Sequence, residues 1–241
     1  MAKHKIYAVV SGRAPGLYDE WFGAEGAEAQ VKGLPNAIYK SFQSRAEAEA
    51  WYRERAGRAP TNIRIRRAEE PGEDYFGLHR EALAAGKVVV YTDGGAMVNP
   101  GVGGYGAVLL HHDKRKELSG GFARTTNNRM ELMACIAALQ LLKKPATIVL
   151  FSDSSYVVNG IAKGWAQRWR ANGWQRVEGG KPEPVKNADL WALLLEECER
   201  HTVQFVQVKG HAGATENERC HELASAAMGR ANLPADAGFA G

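Results

Sequence analysis

Hydrophobic and polar positions predict a small folded unit at the start of the chain. Residues 5–10 form a short apolar run, and residues 38–42 alternate apolar with polar side chains; both patterns are typical of strands. Ser44 and Glu47 have the spacing of a helix capping box, and the helix that they begin is expected to end near Tyr52. We therefore predict a small α/β unit over residues 1–52.

A longer series of apolar patterns predicts a second, larger unit over residues 87–230. Strands are expected at residues 88–92, 105–111, 116–122, 147–152 and 203–209. Apolar positions with helical spacing predict helices at residues 127–143, 154–162, 188–201 and 215–230. Strands mixed with helices in this way predict an α/β domain with a mixed sheet.

Two further segments complete the predicted organisation. Residues 53–86 carry Gly, Pro and dense mixed charge with few apolar positions, so they are predicted to form a linker with a short helix near residues 80–85. Residues 231–241 are assigned to a C-terminal tail.

Composition excludes several classes of protein. No stretch approaches the roughly 18 apolar residues that a membrane span needs, and the first residues lack the apolar segment of a secretory signal. Cys135, Cys198 and Cys220 are widely spaced and match neither a disulfide framework nor a zinc motif. We expect a cytoplasmic protein whose cysteines are buried free thiols.

Positive charge is concentrated in one segment, residues 163–186. It holds six Lys or Arg and two Glu, a net charge of +4 that equals the excess of the whole chain. The same segment contains Trp165, Trp169 and Trp174. Basic residues interleaved with aromatics suit a nucleic acid. The alternative is a solvated helix face with half-buried tryptophans.

Three acidic residues stand at the ends or beginnings of predicted elements. Asp93 and Asp153 follow apolar strands, and Glu131 lies near the start of a helix. Carboxylates at the C-terminal edge of neighbouring parallel strands face the crevice where α/β sheets bind ligands, and a cluster of them favours a cation such as Mg²⁺. Each acid also has a plainer interpretation: Asp93 as a turn residue, Asp153 as a helix cap and Glu131 as a surface charge.

Ordered motifs across residues 88–230 resemble ribonuclease HI. They are Tyr91-Thr92-Asp93-Gly94-Gly95, Asn99-Pro100-Gly101 with Gly103-Gly104-Tyr105-Gly106, Thr125-Thr126-Asn127-Asn128-Arg129-Met130-Glu131-Leu132, Ser152-Asp153-Ser154, and Val208-Lys209-Gly210-His211-Ala212-Gly213 with Asn217-Glu218-Arg219-Cys220. The first unit resembles, over a shorter match, the hybrid-binding domain that precedes some family members. Its motifs are Tyr7-Ala8-Val9, Gly12, Gly16-Leu17-Tyr18, Trp21, Val31-Lys32-Gly33 and Tyr39-Lys40-Ser41-Phe42.

The resemblance implies a fold and an activity. The fold is a ribonuclease H-like mixed five-stranded sheet flanked by helices, preceded by a small α/β hybrid-binding domain. The activity is endonucleolytic hydrolysis of the RNA strand of RNA/DNA hybrids, with two Mg²⁺ ions per site or Mn²⁺ as a substitute, leaving 3′-hydroxyl and 5′-phosphate ends. Asp93, Glu131 and Asp153 would hold the metals, and His211 would help proton transfer or product release; His211 as a plain exposed loop residue is the alternative.

The resemblance also implies a set of hybrid contacts. Asn127 and Asn128 would contact the minor groove, where 2′-hydroxyls distinguish RNA from DNA. The implied contacts to the DNA strand are Asn99, Arg124 and Thr126 at one phosphate, Trp165, Trp169, Arg170 and Trp174 in the basic segment, and Trp21 and Lys40 in the first unit. Trp21 could instead be a core residue.

One position departs from the family in the predicted metal site. The family has an Asp in the last helix where this chain has His221. A neutral imidazole can bind a metal, but it suits Mn²⁺ better than Mg²⁺ and removes a negative charge from the cluster. We therefore assign His221 to the metal site and expect an active enzyme with a higher metal requirement. Ser155 and Ala96 are smaller departures, at presumed substrate contacts.

Two other functions remain open at this stage. A hybrid-binding protein without catalysis, disabled by His221, would share every other motif. A nuclease or strand-transfer enzyme of the same fold would act on DNA or double-stranded RNA instead. The expected partner is an RNA/DNA hybrid; no protein partner is evident, no membrane is expected, and a monomer is the expected state.

Overall fold

The computed structural model describes residues 5–23, 25–34, 37–56, 64–67, 75–178, 181–208 and 215–239, and the statements below concern these residues. Within them, no helix combines the length and the apolar character that crossing a membrane requires.

The first unit is a three-stranded antiparallel sheet with a helix on each face. Its elements are β1 (Ile6–Ser11), β2 (Gly16–Tyr18), α1 (Ala27–Val31), β3 (Ile38–Phe42) and α2 (Arg45–Ala56). β1 lies in the middle, and the sheet has the order β2-β1-β3. Ile6 and Ala8 pack on α2, whereas Val9 packs on α1. The predicted capping box is present, because the Glu47 amide donates to Ser44 Oγ over 3.2 Å, and the helix continues beyond Tyr52 to Ala56.

The second unit is built on a mixed sheet. Its strands are β5 (Val88–Ala96), β6 (Gly101–His111), β7 (Lys114–Thr125), β8 (Thr147–Ser152) and β11 (Thr202–Gln207). β6 pairs antiparallel with β5 and β7, whereas β8 pairs parallel with β5 and β11. The predicted five-stranded mixed sheet is confirmed.

A short strand extends this sheet from within the predicted linker. β4 (Arg64–Arg67) pairs parallel with β11 at the edge, giving the order β4-β11-β8-β5-β6-β7. Its sequence, Arg-Ile-Arg-Arg, has one apolar position and carries no strand signal of its own. Backbone pairing with an open sheet edge, which no local pattern records, accounts for its strand conformation.

Helices cover both faces of the sheet. They are α3 (Tyr75–Ala84), α4 (Asn127–Gln140), α5 (Ser155–Ala162), α6 (Trp165–Ala171), α7 (Ala188–Arg200) and α8 (Thr215–Met228). The core on one face includes Leu150 and the fully buried Trp191 of α7. The core on the other face includes Ala82 of α3 and Cys220 of α8. α3 therefore packs on the sheet, although the sequence places it in a linker, and it begins and ends earlier than the predicted short helix.

The basic segment contains α6 and a two-stranded hairpin of β9 (Gln175–Glu178) and β10 (Lys181–Pro184). The expectation of buried free thiols is confirmed for all three cysteines.

Glycines in β6 allow α8 to lie directly against the strand. A Cβ on Gly104 would sit 2.2 Å from the Ala224 carbonyl oxygen, and one on Gly106 would sit 2.4 Å from that of Cys220. Both distances are far below van der Waals contact, so side chains here would push α8 outward. This close packing fixes the distance between α8 and the neighbouring strand β5.

Candidate active site

The three acidic residues meet at one edge of the sheet. Asp93 lies in the C-terminal half of β5, and Asp153 directly follows β8, its parallel neighbour. Glu131 lies in the second turn of α4, which crosses β5. A Cβ on Gly94 would lie 2.4 Å from the Met130 carbonyl carbon and 2.6 Å from the Glu131 amide, so only glycine lets the helix approach this closely.

The carboxylates are near enough to share a cation. One oxygen from each of Asp93, Glu131 and Asp153 lies within 4.8 Å of the other two. Asp93 Oδ1 accepts a hydrogen bond from the Gly94 amide over 2.8 Å. Glu131 Oε2 is buried and accepts no hydrogen bond from the residues that the structure describes. A buried carboxylate oxygen without a donor is costly unless a cation binds to it.

The electrostatics of the cluster also favour a bound cation. Burial, followed by repulsion from Asp93 and Asp153, raises the pKa of Glu131 well above its usual value. Hard oxygen ligands in a site of this charge fit a divalent cation such as Mg²⁺. The residues present therefore fit the metal that the sequence predicts.

His221 lies beside the cluster, on α8. Its Nδ1 is 3.0 Å from Asp93 Oδ2, and its side chain is 63% exposed. The imidazole is thus part of the same open cleft, which is also lined by Asn127, Asn217 and Glu218. His211, the other predicted catalytic histidine, lies outside the described residues.

Two of the predicted hybrid contacts are joined by hydrogen bonds at the rim of the cleft. Asn99 Oδ1 accepts from the Asn127 amide over 3.2 Å, and Asn127 Oδ1 accepts from the Ala96 amide over 2.8 Å. These bonds tie the loop between β5 and β6 to the first residue of α4. Thr126 is the N-cap residue of α4, and Asn128 is exposed in its first turn.

The tryptophans of the basic segment pack largely on the protein. The Trp169 ring meets Trp191 of the core edge-on at 5.9 Å, and Trp174 also packs against the core. Lys163 Nζ lies 4.9 Å above the Trp165 ring, which is half-buried. Arg170 forms an ion pair with Glu199. The tryptophans are thus partly buried, as the alternative interpretation expects, and the assignment of this segment as a DNA contact stays a prediction.

An aromatic cluster occupies one face of the N-terminal sheet. Trp21 contacts Tyr7 at a ring distance of 5.1 Å and Tyr39 at 5.3 Å, and Tyr39 is 46% exposed. Lys40 pairs with Ala8, which faces α2, so the Lys40 side chain projects from the α2 face of the sheet. The aromatic cluster lies on the opposite face. Tyr7 and Tyr39 were not predicted as contacts; the strand register puts both on one face of the sheet, but Trp21 lies outside the strands, so no local pattern pairs it with them.

The RNase H family model matches residues 85–229, and the family model described as the ribonuclease H1 N-terminal domain matches residues 5–52. The chain belongs to the ribonuclease H family. Its match to the Ribonuclease H of Syntrophus aciditrophicus is 56% identical over 153 residues, covering 64% of this chain and 87% of that protein. The Ribonuclease HI of Synechocystis sp. is 51% identical over 159 residues, covering 66% and 98%.

A solved structure also resembles this ribonuclease H. LC9-RNase H1, described as a type 1 RNase H with the type 2 active-site motif, has a TM-score of 0.53 at 30% identity, covering 59% of this chain and 72% of that one. The predicted family and fold are therefore confirmed, together with the hybrid-binding domain at the N-terminus.

Neutralising Glu131 tests the charge balance of the cluster. We expect Glu131→Gln to stabilise the metal-free protein by about 1 kcal/mol, or roughly 2–4 °C in a chain of this size, because it removes a buried like charge. The same variant should lose most of the rise in melting temperature that Mg²⁺ produces in the wild type. Calorimetric melting with EDTA and with Mg²⁺ measures both effects.

Glu196→Gln is the matched control, since Glu196 is exposed on α7. An equal Mg²⁺-induced rise in the wild type and Glu131→Gln would mean that the ion binds elsewhere.

Proposed function

We propose that this protein is an endonuclease that hydrolyses the RNA strand of RNA/DNA hybrids by a two-metal-ion mechanism, leaving 3′-hydroxyl and 5′-phosphate ends. The observation that carries the proposal is the cluster of three carboxylates within 4.8 Å, in which a buried Glu131 oxygen lacks a donor. Family membership supports the hybrid as substrate. The name Ribonuclease H on the curated relatives supports hydrolysis of RNA.

Asp93, Glu131 and Asp153 would hold the cations. When bound, two divalent ions would activate the attacking water and stabilise the leaving 3′ oxygen of the RNA strand. Mg²⁺ fits three carboxylates, and Mn²⁺ would tolerate the imidazole of His221 better. His221 Nδ1 lies at hydrogen-bond distance from Asp93 Oδ2, so it also orients that carboxylate.

The rim of the cleft would select the RNA strand. Because Asn127 Oδ1 accepts a hydrogen bond from the Ala96 amide, its amide nitrogen is the group left to face the substrate as a donor. A donor beside the scissile strand suits a 2′-hydroxyl or a minor-groove acceptor, which DNA and RNA present differently. Asn128 would contact the RNA strand beside Asn127, and Thr126, Asn99 and Arg124 would extend this surface to a phosphate of the DNA strand.

Removing the carboxylate of Asp93 separates catalysis from binding. We expect Asp93→Asn to lower hybrid cleavage by about a thousandfold or more, since metal-ion stabilisation of the transition state contributes several kcal/mol. Affinity for the hybrid should stay within a few-fold of the wild type. Cleavage of a labelled hybrid and its fluorescence anisotropy give the two quantities, with Asp113→Asn in the exposed β6–β7 turn as the control.

Tight hybrid binding without cleavage by the wild type, in both Mg²⁺ and Mn²⁺, would instead favour the hybrid-binding protein without catalysis. Cleavage of duplex DNA or double-stranded RNA in preference to the hybrid would favour the other alternative.

Restoring the family's carboxylate tests the role of His221. We expect His221→Asp to lower the half-saturating Mg²⁺ concentration on the order of tenfold, equivalent to about 1.4 kcal/mol of added attraction, and to shift preference from Mn²⁺ towards Mg²⁺. Activity titrated with each metal, together with calorimetric binding of Mn²⁺, measures this change. Superimposable titrations for the two proteins would remove His221 from the metal site.

The N-terminal domain would hold the enzyme on long hybrids by raising its effective concentration there. If Lys40 contacts a DNA phosphate, Lys40→Ala should raise KM without lowering kcat, and the slope of log K against log salt should fall by about 0.9. Lys32→Ala is the control, because Lys32 in the same domain already pairs with Glu28. A lower kcat with an unchanged KM would contradict this role.

A further inference from the structure

The C-terminal tail, defined here as residues 231–239, returns to the catalytic domain through one carboxylate. Asp236 has a side chain that is only 5% exposed. Its Oδ2 accepts from Thr125 Oγ1 over 2.7 Å and from Arg129 Nε over 2.6 Å, and its Oδ1 accepts from Arg129 Nη2 over 2.7 Å. A short, buried, charge-assisted arrangement of this kind is among the stronger polar contacts in proteins.

These two donors stand on either side of a predicted substrate surface. Thr125 is the last residue of β7, and Arg129 is the third residue of α4. The three residues between them, Thr126, Asn127 and Asn128, are all predicted hybrid contacts. The Asp236 carboxylate therefore connects Thr125 to Arg129, the two ends of the corner between β7 and α4. The three predicted contacts lie within this corner.

Other contacts hold the tail in the same place. The Ala123 amide of β7 donates to the Pro234 carbonyl oxygen over 2.9 Å. The Phe239 ring centre lies 5.9 Å from the guanidinium carbon of Arg124, the predicted phosphate contact. The tail thus touches the segment before α4 at several successive residues.

Arg129 has a second acidic partner, on another helix. Its Nη1 and Nη2 donate to the two carboxylate oxygens of Asp189, in the first turn of α7, over 2.9 and 2.7 Å. The Arg129 side chain is 2% exposed, whereas that of Asp189 is 42% exposed. Loss of Asp189 would weaken the anchoring of Arg129, but the bond from Thr125 to Asp236 would remain.

We propose that Asp236 is a positioning residue for hybrid recognition, which holds the corner between β7 and α4 so that Thr126, Asn127 and Asn128 meet the hybrid together. This inference rests on the proposed function, because it assigns these residues to the hybrid surface. The placement of such groups is critical, since a misplacement of about 1 Å can already lower a reaction rate by about a hundredfold.

A purely structural role would give a different result. In that case Asp236→Asn would lower the melting temperature, but the folded protein would bind the hybrid like the wild type. The measurement must therefore be made below the melting temperature of every variant. Asp189→Asn is the matched control. It also removes an ion pair of Arg129, but it keeps the hydrogen bonds by which Asp236 joins Thr125 to Arg129.

The experiment measures dissociation constants for an RNA/DNA hybrid and for a DNA duplex of the same sequence, all in the Asp93→Asn background with Mg²⁺. We expect Asp236→Asn to weaken hybrid binding by roughly tenfold or more and DNA binding much less, so that the preference for the hybrid falls. Asp189→Asn should leave that preference within about twofold of the parent, because Asp236 still joins Thr125 to Arg129 in this variant. In the cleaving enzyme, Asp236→Asn should raise KM more than it lowers kcat.

Thr125→Val provides a second variant if Asp236→Asn does not fold, because it removes one hydrogen bond and keeps both ion pairs. It should lower the hybrid preference in the same direction by a smaller factor. If Asp236→Asn, or Thr125→Val in its place, prefers the hybrid over the DNA duplex as strongly as Asp189→Asn does, this inference is wrong. That result would leave the proposed function intact. A parent protein that binds the hybrid no better than the DNA duplex would overturn the proposed function and the inference with it.

Discussion

Repulsion among three carboxylates is the constraint on which the site depends. At separations near 4 Å, each pair of unit charges repels by roughly 1–4 kcal/mol when solvent screens it. The fold nevertheless holds Asp93, Glu131 and Asp153 within 4.8 Å, because β5 and β8 are parallel neighbours and Gly94 lets α4 approach β5. Packing thus maintains an arrangement that a divalent cation stabilises, and this is the physical basis for a metal-dependent reaction.

His221 brings an imidazole, not a fourth carboxylate, to the edge of that arrangement. The position of α8 follows from the absence of side chains at Gly104 and Gly106, which sets how near its residues come to β5. An imidazole at this distance offers a nitrogen to Asp93 and adds no negative charge at neutral pH. On the proposed function, this imidazole would lower the attraction of the cluster for hard cations.

The proposed substrate side of the cleft is assembled from distant parts of the chain. The loop between β5 and β6 supplies Asn99, α4 supplies Asn127, and the C-terminal tail supplies Asp236. Each segment is held by hydrogen bonds to another, so the proposed recognition surface depends on contacts that are long-range in sequence. The carboxylate cluster is held by the sheet, whereas the proposed recognition rim is held by these long-range contacts. Substitutions at the two places can therefore affect cleavage and hybrid binding separately.

The sequence by itself determined the five-stranded mixed sheet, the N-terminal unit and the acidic residues, because local apolar periods and ordered motifs carry that information. It did not reveal that β4 joins the sheet edge or that Tyr7 and Tyr39 flank Trp21, and it left open whether the tryptophans of the basic segment are half-buried. It also assigned residues 231–241 only to a tail, although Asp236 bonds to residues more than a hundred positions earlier. These features depend on which surfaces meet after folding. Only the tertiary structure decides them, since local periodicity does not encode contacts between remote segments.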